Sequence, residues 1–161
     1  MSLPPDENRI RPDHLPTPFS AADIRAGCPL GRTIQVQSEA PGGELTFRQI
    51  RFVEVDTDGA VQEFQPTDAT GLPIGEPTRH RSSWLDLQQH ASQPAAVTVI
   101  DEVELALPFG TEACWRYTVN GRDECVTFWF AKGRAGMPVQ VEQRVGGEVV
   151  SRSVVIADEV A

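Results

Sequence analysis

From residue 32 onward, apolar side chains recur at every second position in runs closed by glycine and proline. That period of two points to antiparallel β structure. Eight segments carry it: residues 32–39, 44–56, 60–65, 97–107, 113–119, 122–131, 137–145 and 148–157. The turns between them are short: Pro41-Gly42-Gly43, Asp58-Gly59, Pro108-Phe109-Gly110, Asn120-Gly121 and Gly146-Gly147. Asn-Gly is the strongest short hairpin signal of the set. In residues 44–56 the apolar phase slips, from Leu45 and Phe47 to Ile50 and Phe52 and back to Val53 and Val55. A slip of this kind predicts a bulge or bend, the device by which a sheet curls. The expected fold is mainly β (α+β), a curved antiparallel sheet or half-barrel meander of about eight strands with two short helices.

The first helix is announced by Ser20 as N-cap, Asp23 three residues on as its reciprocal partner, and Phe19 with Ile24 as a hydrophobic staple. Gly27 marks its end. The second begins at Ser83, with Asp86 at the third position, and runs to about residue 91 before Pro94. On it, Trp84, Leu87 and Ala91 form one apolar stripe expected to lie across the sheet. Residues 66–81 hold Gly71, Pro73, Gly75 and Pro77 and read as a long loop. Residues 1–18, with prolines at 4, 5, 12, 16 and 18, read as a flexible tail, leaving 19–161 as a single half-barrel-like domain. A chain of 161 residues is the size of one domain with one core.

Charge narrows the function classes. A net charge of −9 works against nucleic acid and anionic membrane surfaces, whose affinity comes from Lys and Arg. Of 14 basic residues only Lys132 is lysine, the bias of a GC-rich bacterial genome, and its position at a strand end offers little to amine chemistry. No segment has the apolar length of a transmembrane helix, and the polar N-terminus reads as cytoplasmic, or as exported if a signal segment has been removed. Cys28, Cys114 and Cys125 lack metal-ligand spacing and read as reduced, packed thiols, with one disulfide and a leftover thiol as the alternative. No cofactor or metal is indicated. Asp86 and His90 stand four apart on a helix, but no GxSxG is present and nothing in the sequence brings a nucleophile to them. The expectation is a non-enzyme, with no catalytic residues.

Candidate binding residues come from the hairpin registers. A two-residue loop at Asn120-Gly121 sets Tyr117 opposite Glu124 and Trp115 opposite Val126. The Gly146-Gly147 loop sets Gln143 beside Val150 and Arg152 beside Val141, and Asp101 interrupts the apolar series from Val99 to Val103. Asp101, Glu124, Gln143, Arg152 and Tyr117 are thereby expected on the largely apolar surface of Trp115, Phe128 and Val141. Two readings are open: the charges pair with one another or reach solvent at the rim, or they are the polar handles of a ligand pocket.

The strings Cys114-Trp115-Arg116-Tyr117-Thr118-Val119, Thr127-Phe128-Trp129-Phe130-Ala131 and Gly136-Met137-Pro138-Val139, followed by the Gly-Gly hairpin, resemble bacterial domains whose long curved sheet is like that of LolA/LppX-type lipoprotein carriers. The resemblance covers roughly residues 105–155 and lies in strand rhythm. It implies a half-barrel wrapped around lipid, with the helix carrying Trp84 as the plug of its inner side. The function expected is a non-catalytic binding or carrier module for a hydrophobic small molecule or lipid. The alternative is a structural or regulatory protein-interaction domain that uses a sheet edge or the tail. The sequence specifies no oligomeric state.

Overall fold

A computed structural model describes residues 3–160. Nine strands form one curved, unclosed antiparallel sheet: β1 (Thr33–Glu39), β2 (Leu45–Val55), β3 (Gly59–Thr67), β4 (Thr78–Ser83), β5 (Thr98–Leu107), β6 (Gly110–Asn120), β7 (Glu124–Ala131), β8 (Gln140–Val145) and β9 (Glu148–Glu159). Their spatial order is β4-β3-β2-β1-β9-β8-β7-β6-β5. Two four- and five-strand meanders are thus joined through β1 and β9, the first and last strands, with Thr33 opposite Glu159. The chain crosses between the outer strands β4 and β5 through α2 (Trp84–Gln89).

The ninth strand, β4, lies in the expected long loop. Its sequence, Thr-Arg-His-Arg-Ser-Ser, contains no apolar residue and so no alternation to read. As an outer strand it pairs through its backbone with β3 and leaves residues 78–81 exposed. The predicted bend in β2 is present, as a register shift against β3 between Phe52 and Glu54.

Both helices start as their caps dictate. In α1 (Ala21–Gly27), Ser20 Oγ accepts from the Asp23 amide and Asp23 accepts from the Ser20 amide, each at 3.0 Å. Ser83 Oγ accepts from the Asp86 amide at 3.0 Å to open α2. The staple residues Phe19 and Ile24 are buried, as is Trp84, while Leu87 and Ala91 pack against the same core.

The expected flexible tail has fixed partners instead. Pro4, Asn8, Pro16, Thr17 and Pro18 are buried. Gln88 of α2 ties this segment down: its Nε2 donates to Asn8 O and Thr17 Oγ1, at 3.2 and 3.0 Å, while its Oε1 accepts from Ala21 N at 2.9 Å. Prolines here stiffen a strap across the domain, and a buried glutamine supplies the hydrogen bonds that their missing N–H groups cannot. Met1 and Ser2, at the start of the expected tail, lie outside the described residues.

Candidate functional site

Residues paired across antiparallel strands share a face, and neighbours along a strand alternate. One face of the sheet, here the inner face, collects Ile34, Val36, Ile50, Phe52, Ala60, Ile100, Tyr117, Phe130 and Val155, all buried. The two helices and the N-terminal strap cover part of it. Tyr117 donates its hydroxyl to Pro16 O at 2.6 Å, and burial pushes the phenol above its ordinary range.

Between α1, α2 and this face lies a cavity of about 190 Å³. Ile24, Phe52, Leu87, Phe128, Phe130 and Met137 make its apolar walls, with Cys28, Arg32, Gln62 and His90 as its polar groups. Arg32 is fully engaged. Its Nε and Nη2 donate to Asp158 at 2.9 and 2.7 Å, and its Nη1 donates to Gly27 O, Cys28 Sγ and Ala135 O. Burial raises the Cys28 thiol, and the adjacent guanidinium offsets only part of that. The side chains of Gln62 and His90 have no hydrogen-bond partner among the described residues.

Of the residues expected to bind, only Phe128 lines this cavity. Trp84 is buried in the core, its Nε1 donating to Asp56 O at 2.9 Å. Trp115 packs edge-on to Phe19 at 6.2 Å, with Lys132 Nζ 5.1 Å from its ring centroid. The β6–β7 register differs from the expected one. Asn120 and Gly121 do not take the positive φ that a two-residue type I′ turn requires, so the turn closes at Arg122-Asp123, with Gly121 N donating to Glu124 O at 2.7 Å. Tyr117 therefore faces Phe128, and Trp115 faces Phe130. The change is four positions, an even number, so Glu124 keeps its face; it sits exposed near the hairpin tip and accepts from Gln143 Nε2 at 3.0 Å.

Arg152 and Asp101 are corrected more fundamentally. A bulge between Gln143 and Arg144 shifts β8 against β9 by one residue, so that Gln143 faces Ser151 and Arg152 faces Glu142. A one-residue slip turns a side chain to the opposite face. Arg152 consequently lies on the outer face, where it and Arg144 pair with the buried Glu142, at 2.8 and 2.9 Å. Asp101 lies there too, opposite Arg116, which donates to it at 3.0 Å. The five polar candidates thus resolve into separate local pairs. Sequence reasoning missed Ile24, Leu87 and Met137 as cavity residues; the staple and the α2 stripe signalled the first two, while nothing signalled that Ala135 and Gly136 meet the end of α1 at Gly27 and Cys28.

The three thiols are free. Cys114 faces Ala131 and Cys125 faces Asn120, which sets them six residues apart along the β6–β7 ladder, about 20 Å. Among the described residues no group of three His, Cys, Asp or Glu side chains is placed to hold a metal ion, and no helix is long and apolar enough to cross a membrane.

One sheet edge stands out. β5 is ten residues long and keeps an unbroken register with β6, from Thr98 opposite Val119 to Leu107 opposite Gly110. It is the last strand of the sheet, paired on one side only. Val97 and Val99 are exposed at 41% and 60%, and the strand carries Asp101, Glu102 and Glu104. The opposite edge, β4, is six residues long and guarded by Arg79 and Arg81, which pair with Glu63 and Asp56. Short, charged outer strands resist pairing with other chains; long regular ones invite it.

No protein-family model matches the sequence, and no curated protein matches it. Among solved structures, the chain is similar to MucB in complex with MucA(peri), with a TM-score of 0.60 at 10% identity over 84% of this chain and 52% of that one. It is similar to MucB alone, at 0.57 and 11% over 84% and 55%, and to the Pseudomonas aeruginosa MucA/MucB complex, at 0.56 and 12% over 84% and 53%. The chain spans about half the length of these structures' chains. At such identities the likeness concerns the fold: a curved antiparallel sheet, shared here with MucB.

Proposed function

We propose that this chain is a non-catalytic protein-interaction domain that pairs an extended, basic segment of a partner protein along β5. The observation that carries the reading is the ten-residue outer strand with an unbroken register and an exposed Val99, next to the exposed Val97 that precedes it. Strand addition draws affinity from main-chain hydrogen bonds and specificity from alternate side chains. On β5 those side chains include Val99 and the exposed Glu104, with Asp101 and Glu102 already paired to Arg116 and Lys132; in a chain of net charge −9 this favours a partner that combines apolar residues with Lys or Arg. That two of the similar structures hold MucB together with MucA supports a protein-binding use of this fold. The lipid-carrier reading draws less support, because a cavity of about 190 Å³ falls below the roughly 300–1,000 Å³ of sites for drug-sized ligands.

The test uses two arrayed decapeptides, one alternating Val with Arg and one alternating Val with Glu, against wild type, Val99→Lys and Leu72→Lys. Leu72 is 64% exposed in the loop after β3 and serves as the control. The basic peptide is expected to bind at least about tenfold more tightly than the acidic one, a difference of about 1.4 kcal/mol. Val99→Lys should abolish that preference and Leu72→Lys should leave it intact. Equal binding of both peptides, or equal loss in both variants, contradicts the proposal.

A further inference from the structure

We infer that the cavity between the two helices and the inner sheet face is a binding site for a small, neutral, mostly apolar molecule about one aromatic ring in size. This site is separate from β5 and stands or falls independently of the interaction proposed there. Three observations carry it. The first is size: an apolar protein cavity of roughly 150 Å³ accepts benzene, so about 190 Å³ holds one ring with a short substituent. The second is the wall, which is open to solvent on one side beside the exposed His90. Ile24, Phe52, Leu87, Phe128 and Met137 come from five different segments and converge on one space that their side chains leave unfilled. Interiors seldom keep voids wider than a water molecule, which makes an apolar space of this size a candidate site.

The third observation fixes the charge of the occupant. Every nitrogen of Arg32 already donates to Asp158, Gly27, Cys28 or Ala135, so the one cation on the wall of this cavity that is always charged offers nothing to a carboxylate or phosphate. The groups with hydrogen-bonding capacity left are the Gln62 carboxamide and, at the rim, the His90 ring. A carboxamide donates and accepts equally well, which suits a hydroxyl or amide on the ligand. An aromatic alcohol fits this set; an aromatic acid of the same size does not.

The chain contains two methionines, Met1 and the cavity residue Met137, so a methyl-labelled protein gives a simple NMR spectrum with a reporter on the wall. The probes are benzyl alcohol and benzoate, which share a ring and differ in charge. Benzyl alcohol should move the Met137 methyl signal saturably, with a Kd in the millimolar range or tighter, while benzoate binds at least about tenfold more weakly. Ala91→Phe, which places a ring in the space, should abolish the saturable shift. Gln62→Leu, similar in volume and well placed on a strand, should weaken benzyl alcohol about fivefold without affecting folding, the loss of one hydrogen bond; it decides the matter if Ala91→Phe does not fold. A linear, non-saturating shift, equal affinity for the two probes, or full affinity in both variants overturns the assignment.

Discussion

Replacing Arg32 with methionine tests whether one buried ion pair clasps three separate parts of the chain. The guanidinium and the Asp158 carboxylate are 5% and 4% exposed, and they meet through two parallel hydrogen bonds at 2.9 and 2.7 Å. The third nitrogen holds Gly27 O at the end of α1 and Ala135 O in the segment between β7 and β8. Methionine fills much of the same space but strands a buried carboxylate and leaves two carbonyls without their donor. Removing one partner of such a pair costs roughly 3–5 kcal/mol. Arg134 Nη1 remains 3.5 Å from Asp158 Oδ2, which places the expected loss near the lower end, about 3 kcal/mol. With a urea dependence of about 2 kcal/mol per molar for a domain of this size, the unfolding midpoint should fall by about 1.5 M. Adding Asp158→Leu removes the stranded charge and should restore most of the loss, since a buried pair replaced by apolar residues is often neutral. A midpoint shift below about 0.3 M for the single variant, or a double variant no more stable than the single, would refute the clasp.

Gly59→Ala should destabilise the β3–β4 pairing by about 2–3 kcal/mol, because the new Cβ would stand 2.2 Å from Ser82 O and 2.9 Å from Ser83 Cα, both backbone atoms that move only with the strand. Gly133→Ala, where no atom lies within 4 Å, is the control in the same thermal melt, and equal melting temperatures would sink the packing argument. In thiol counting at pH 8, half-buried Cys125 should react promptly, while Cys28 and Cys114 wait for denaturant. Burial, with Glu112 and Glu104 adding to it, pushes the Cys114 thiol up to about 11, leaving about one thiolate in a thousand at that pH; a second prompt thiol contradicts this. Tyr117 is the single tyrosine, so the pH-dependent rise in absorbance at 295 nm, above the constant background of the three tryptophans, follows it alone. Its native phenol should ionise above the ordinary value near 10, and because folding favours the neutral form, the stability it contributes is fully present below about pH 10 and is lost as pH rises beyond it. A native midpoint near 10 would show the ring exposed.

The legible part of this fold is whatever depends on local pattern. Ser20, Asp23, Phe19 and Ile24 foretell α1 because capping and stapling are contacts within one turn. The bend in β2 is readable because the apolar phase must slip where the strand bulges. Pairing of β1 with β9 is not readable, because alternation assigns a face and names no partner. The face of Arg152 was not readable for a related reason. The Gly146-Gly147 turn is a true two-residue turn, with φ of 59° and 84°, but the bulge three residues away is invisible in sequence and reverses the face of everything beyond it. Tyr117, Phe128 and Trp115 keep the expected face despite an incorrect register because that error was even-numbered.

The most direct test of the interaction proposal is an NMR titration of the amide-labelled protein with the Val/Arg decapeptide. The account predicts that the largest shifts fall on residues 98–107 of β5, with cross-strand contacts between its Hα atoms and those of the peptide, and that Met137 at the helix-covered cavity stays unmoved. Shifts centred on the inner face or on β4, with β5 unchanged, would contradict it.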